Sequence, residues 1–147
     1  MLAETFEQLY VLLRGKYYSR IAIEVSKGHL SVSECFSLEV VMLMRRPTIK
    51  AFATYLGISL SNANYRINSL VEKGYLTRMQ SAQDKRETLL VLTDQYKSLF
   101  GPGNPDIMET IREVELTFSQ EELAVFTKML DRVTGILDTE KTMGDML

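Results

Sequence analysis

Apolar side chains recur at steps of three and four at the start of the chain, where Phe6, Leu9, Leu13, Tyr17 and Ile21 form one stripe. The spacing predicts a long first helix over residues 5–25. Gly28 and His29 interrupt it, and Ser31 followed by Glu34 has capping-box spacing, so a second, mostly apolar helix is expected from Val32 to Met44. Pro47 stops that helix. Thr48 is suited to cap a short third helix, IKAFATYL, which should end at Gly57 because glycine tolerates the left-handed conformation beyond a helix end. Ser59 then caps a fourth. On it Leu60, Ala63, Ile67, Leu70 and Val71 cluster on one face, leaving Ser61, Asn62, Tyr65 and Ser69 to point away from the core. A short helix, a tight turn and a second capped helix, with the small Ala53 where the two must approach, is the helix-turn-helix pattern.

After Gly74 the period becomes extended. Tyr75 to Met79 and Thr88 to Leu92 read as two strands joined through Ser81, Ala82, Gln83 and Asp84, a hairpin wing with Arg78 on its ascending arm and Lys85 and Arg86 on its descending arm. Thr93 and Asp94 can cap a fifth helix, but Gly101-Pro102-Gly103-Asn104-Pro105 cannot continue it, and a break is expected there. Helical spacing resumes near Asp106. Ser119 with Glu122 forms another capping box ahead of Leu123, Phe126, Met129, Leu130, Val133 and Leu137. The fold class that results is mainly α with a small β-hairpin wing. Its regions are a first helix in residues 1–30, a winged helix-turn-helix in 31–93 and C-terminal helices in 94–147.

Charge alters this picture more than composition does. The net charge of −2 conceals a middle segment, Arg45 to Arg86, with eight basic and two acidic residues, against five basic and twelve acidic from Glu87 onward. A cationic island in an otherwise acidic chain attracts and orients an anionic polymer. The 46% hydrophobic content is enough for a core. The longest apolar run, Val40 to Met44, falls far short of the ~20 residues of a membrane span, and the acidic start has no signal-peptide layout. A cytoplasmic protein without a membrane association is expected. One Cys and one His give no metal spacing, and neither a phosphate loop nor a catalytic triad is readable, so neither a cofactor nor an enzymatic reaction is expected.

Leu56 to Thr93 resembles the MarR family of bacterial transcription regulators. The resemblance rests on Gly57-Ile58-Ser59, on Leu70 to Arg78, on Asp84-Lys85-Arg86 and on Leu92-Thr93. It implies a homodimer whose N- and C-terminal helices interleave, with a recognition helix in the major groove of double-stranded DNA and a wing arginine in the minor groove. By position, Arg86 is that arginine and Asp84 the carboxylate that holds it. The candidate recognition-helix residues are Ser59, Ser61, Asn62, Asn64, Tyr65, Arg66, Ser69 and Lys73, with Arg78, Asp84, Lys85 and Arg86 on the wing. Tyr65 stands where many members have arginine, and the Gly101 to Pro105 break interrupts what is usually one continuous helix.

Each of these residues has a plainer reading as a solvated surface group. Against it, three asparagines and two serines are poor helix formers that propensity alone does not select for the fourth helix. Arg45, Arg46, Thr48 and Lys50 are candidate phosphate contacts, or a helix-dipole complement at the turn into the third helix. Tyr17, Tyr18, His29 and Met42 are candidate linings of a pocket for a small hydrophobic or aromatic effector, against ordinary packing. Cys35 is either a redox switch or an inert thiol in an apolar helix. A palindromic operator bound by a homodimeric repressor is the function expected. The alternatives are a winged-helix protein-interaction module and a thiol-switched regulator.

Overall fold

The computed structural model describes residues 1–101 and 103–139. Pro102 of the expected break and the last eight residues of the C-terminal region lie outside the described residues. The element order is α1 (Leu2–Ser26), α2 (Val32–Leu43), α3 (Ile49–Leu56), α4 (Leu60–Glu72), β1 (Leu76–Gln80), β2 (Thr88–Leu92), α5 (Asp94–Phe100), α6 (Pro105–Thr117) and α7 (Gln120–Thr139).

Local chemistry sets the boundaries. The Ser31 hydroxyl accepts from the Glu34 N–H and the Glu34 carboxylate accepts from the Ser31 N–H, closing the capping box of α2. Thr48 caps α3 by accepting from the Ala51 N–H, and Ser59 caps α4 by accepting from the Asn62 N–H. Gly57 between them has φ +64°, the left-handed conformation that reverses the chain within one residue. Helix α2 ends one residue before the expected Met44, and Arg45 and Arg46 follow at φ +52° and +68°. Two non-glycine residues in the left-handed region cost roughly 1 kcal/mol or more each, so the turn into Pro47 is held by its surroundings. Pro47 is buried and its carbonyl accepts from the Leu90 N–H at 2.9 Å, which ties the turn to the wing.

The two strands form one antiparallel hairpin, with Arg78 opposite Leu90 and Gln80 opposite Thr88, and an isolated bridge from Leu89 to Thr48 fastens it to the start of α3. Tyr75, read as the start of β1, precedes the strand. It is buried beneath the sheet's base, where the Thr93 hydroxyl donates to the Gly74 carbonyl.

The core lies between these elements. Leu38, Val40, Val41, Phe52, Ile67, Leu70, Leu76 and Leu90 are essentially inaccessible, each contributing about 1.5–3 kcal/mol of burial free energy for side chains of this size. Ala63, Ile67 and Leu70 confirm the expected inner face of α4. Leu60 departs from it at 53% exposed, because the first turn of α4 extends past the elements that cover the rest of the stripe.

The break after α5 is present. A Cβ on Gly101 would stand 2.8 Å from the Lys97 Cα, so this chain reversal against the end of α5 has no room for a side chain. Asn104 caps α6 by accepting from the Asp106 N–H, and its amide donates to the Leu99 carbonyl. Helix α6 starts at Pro105, whose missing N–H costs nothing at the first helical position.

Candidate nucleic-acid interface

The helix-turn-helix presents α4 with its apolar face inward and its polar face outward. Ser59, Ser61, Asn62 and Tyr65 are exposed, and Tyr65 stands 75% accessible, its ring and phenol both open to a ligand. Arg66 and Asn64 are half-buried on the flanks. The Arg66 Nε donates to the Asn62 Oδ1 at 3.3 Å, one turn back, and the Asn64 amide donates to the Leu60 carbonyl at 3.0 Å. The N-terminal half of α4 thus offers hydroxyls, amides, a phenol and a guanidinium from one side of a rigid, capped helix. Those groups can donate to and accept from base edges and phosphates alike.

The C-terminal half behaves differently. The Ser69 hydroxyl donates to Glu34 Oε1 at 2.7 Å, and the Lys73 ammonium donates to both Glu34 oxygens at 2.8 and 2.9 Å. Burial alone would raise the Glu34 carboxyl. The Lys73 ammonium, the Ser31 N–H and hydroxyl and the Ser69 hydroxyl together outweigh burial and hold it down at about 2. Ser69 and Lys73, both expected on the reading face, are therefore engaged with α2.

The wing is built by its own hydrogen bonds. The buried Ser81 hydroxyl accepts from the N–H groups of Gln83 and Asp84, and the Gln80 amide donates to the Lys85 carbonyl at 2.7 Å. Asp84 Oδ1 accepts from the Arg86 N–H at 2.9 Å, so this carboxylate holds Arg86 through its main chain. Lys85 and Arg86 sit in the turn ahead of β2 instead of on a descending strand, and among the described residues neither side chain has a hydrogen bond or ion pair. Their charges are free to meet a ligand. Arg78 is placed mid-strand, away from the tip, and its guanidinium donates to the Asn68 Oδ1 at 2.7 Å, which links the wing to α4.

Of the candidate phosphate contacts, Arg46 and Lys50 are exposed near the start of α3, while Thr48 is committed to capping it. Arg45 reaches across to α7 and pairs with Asp138 at 2.8 Å, both groups exposed. That pair is worth little in water, so Arg45 remains exchangeable.

The candidate effector residues fall into separate settings. Tyr17 lines a small cleft between α1 and the α5–α6 junction with Leu13, Arg20 and Phe100; burial, then the Glu39 carboxylate, push its phenol upward. Tyr18 is exposed and packs edge-on against Tyr17. His29 is hydrogen-bonded through Nδ1 to the buried Glu24 at 2.8 Å, and Met42 lines a different groove beside Arg45 and Leu92. Cys35 is 3% exposed; burial, with Glu34 and Glu24 adding to it, pushes its thiol up. A reactive cysteine needs the opposite, an accessible and stabilised thiolate.

Sequence reasoning missed Glu34, read only as a capping residue, and Asn68, which lies on α4 but was given no role. Their partners are distant in sequence, and only the two acceptor types at helix positions hinted at them.

Residues 43–88, from the end of α2 through the first residue of β2, match the MarR family model. The HTH-type transcriptional regulator MhqR of Bacillus subtilis is 25% identical over 129 residues, covering 86% of this chain and 89% of MhqR. YfiV of the same organism, an uncharacterized HTH-type transcriptional regulator, is 30% identical over 93 residues. That match covers 60% of this chain and 58% of YfiV, less than two thirds of the relative's length. Among solved structures, FabT of Streptococcus pneumoniae in complex with DNA has a TM-score of 0.54 at 22% identity, over 96% of this chain and 100% of FabT. The transcriptional regulator Tm0710 of Thermotoga maritima has a TM-score of 0.54 at 15% identity, over 92% and 96% of the two chains. At these identities the structural likeness establishes the fold, mainly helical with a two-stranded wing.

Proposed function

We propose that this chain, whose residues 43–88 are MarR-family sequence set in a winged-helix fold, is a cytoplasmic transcriptional repressor that binds duplex DNA as a homodimer. The observation that carries the reading is the pairing of an outward polar helix face with an unpartnered cationic turn. Ser61, Asn62 and Tyr65 stand exposed on a helix anchored by Ala63, Ile67 and Leu70, beside a wing tip from which Lys85 and Arg86 project without partners among the described residues. The first fits a major groove and supplies discrimination; the second fits the negative potential of a groove or backbone and supplies affinity. FabT, which shares the fold, is seen in complex with DNA.

The dimer is supported by the terminal helices. On α1, Phe6, Leu9, Leu12 and Leu13 are exposed; α6 buries no side chain; and α7 exposes Phe126, Met129 and Leu130. Apolar surface on this scale on both ends of the chain calls for a second copy. Residues 1–30 and 94–147 accordingly form the dimerisation region and 31–93 the DNA-binding region, within a single domain. Two winged helices related by a two-fold axis require an imperfect palindrome with half-sites about one turn apart.

A mobility-shift titration across salt concentrations tests this reading. Arg86→Ala should weaken binding to all sequences and flatten the dependence on salt, while Asn62→Ala should reduce the preference for a selected site over random duplex by roughly 5- to 100-fold, as loss of a base contact does. Binding by Arg86→Ala indistinguishable from wild type at every salt concentration would remove the wing from the mechanism.

A further inference from the structure

The carboxylate of Glu34 is 13% exposed and accepts four hydrogen bonds, from the Ser31 N–H, the Ser69 hydroxyl and, on both oxygens, the Lys73 ammonium. One group thereby caps α2 and seizes two side chains of α4, 35 and 39 positions further along. Lys73 is 38% exposed and Glu34 13%, so the carboxylate is the enclosed partner, and its contact with both oxygens is fixed by the further bonds from Ser31 and Ser69. The same carboxylate lies on the wall of a polar groove of about 470 Å³, which it shares with Asn62, Tyr65 and Arg66 from the outward face of α4.

Resting on the DNA-binding reading, we infer that Glu34 is a positioning residue that fixes the recognition helix on α2 and withholds Lys73 from the phosphate backbone. Positive charge at the interface is then confined to the N-terminal half of α4, the wing and the start of α3. A lysine at the far end of α4 would otherwise be a mobile, sequence-blind phosphate contact, strengthening binding to every duplex alike. Neutralised by Glu34 it adds nothing to that background, and its hydrogen bonds hold the angle at which Asn62 and Tyr65 are presented.

The test uses Glu34→Gln, which keeps an acceptor for Ser31 and Ser69 but removes the charge, together with Lys73→Met and the double variant. Binding to a random duplex is followed by fluorescence anisotropy from low to high salt. In Glu34→Gln the slope of log affinity against log salt should steepen by about 0.9 per released lysine, roughly 1.8 for two protomers, for B-form DNA. Lys73→Met alone should leave the wild-type slope unchanged, and adding it to Glu34→Gln should restore that slope. A shallower slope in Lys73→Met alone would show that the lysine already contacts phosphate and would overturn the inference, as would an unchanged slope in Glu34→Gln. A wild-type protein that ignores duplex altogether would sink the DNA reading, not the clasp. The clasp is read separately from thermal melting, where the Tm losses of the two single variants should exceed, when summed, that of the double variant; strict additivity would refute it.

Discussion

Between α2 and β2, Phe52, Ile67, Leu70 and Leu90 have no accessible surface, whereas on the terminal helices Leu12, Leu116 and Met129 are 61%, 76% and 59% exposed. Both regions are rich in apolar residues at helical spacing, so the contrast does not come from composition. It comes from what each region can reach. The winged-helix segment folds back on itself through short turns at Gly57 and Gly74 and a hairpin, so its stripes face one another. Helices α1, α6 and α7 are long arms whose apolar side chains, spread all round α1 and gathered on one face of α6 and α7, find few neighbours in their own chain. The contrast teaches that one region closes its own core, while the other leaves apolar side chains uncovered within a single chain, the surface that the proposed dimer would bury.

Two substitutions break that contrast from opposite sides. The largest expected effect is that of Phe52→Ala, at a site with no exposure: it should lower the unfolding free energy by about 3–5 kcal/mol through lost burial and the cavity left behind. Denaturant melts read by far-UV circular dichroism check it, and a loss under ~1 kcal/mol would mean that the core is looser than it looks. Phe126→Glu on α7, where the ring is 48% exposed, should leave those melts almost unchanged at high protein concentration but weaken self-association. A central aromatic anchor contributes ~2–4 kcal/mol to an interface, so the dissociation constant should rise by roughly 30- to 1,000-fold in sedimentation equilibrium. An unaltered association would place the contact between copies elsewhere.

The same division explains what the sequence revealed. The helix-turn-helix was legible nearly to the residue because its signals are local: the Thr48 cap, the left-handed Gly57 and the Ser59 cap each act within four positions. The break after Phe100 was legible for the same reason. Side-chain placement on α4 was legible only in part. The period of 3.6 separates Ala63, Ile67 and Leu70 from Asn62 and Tyr65, yet it cannot tell that Ser69 and Lys73 meet a carboxylate on α2, or that Arg78 meets Asn68 instead of standing at the wing tip. Those pairings depend on how separate elements lie against one another. Nor does periodicity distinguish a stripe that a neighbouring element covers from one left open, which is why Leu60 and the first turns of α1 emerge exposed.

Stoichiometry and salt dependence, measured together, bear most directly on the proposal of a dimer that grips DNA by a cationic turn and a polar helix. Wild-type protein titrated into a duplex carrying a selected site, followed by analytical ultracentrifugation from low to physiological ionic strength, should show two chains per duplex. Its affinity should fall by orders of magnitude across that range, because charges at the wing and beside α3 displace counterions. One chain per duplex, or no binding even at low ionic strength, would contradict it.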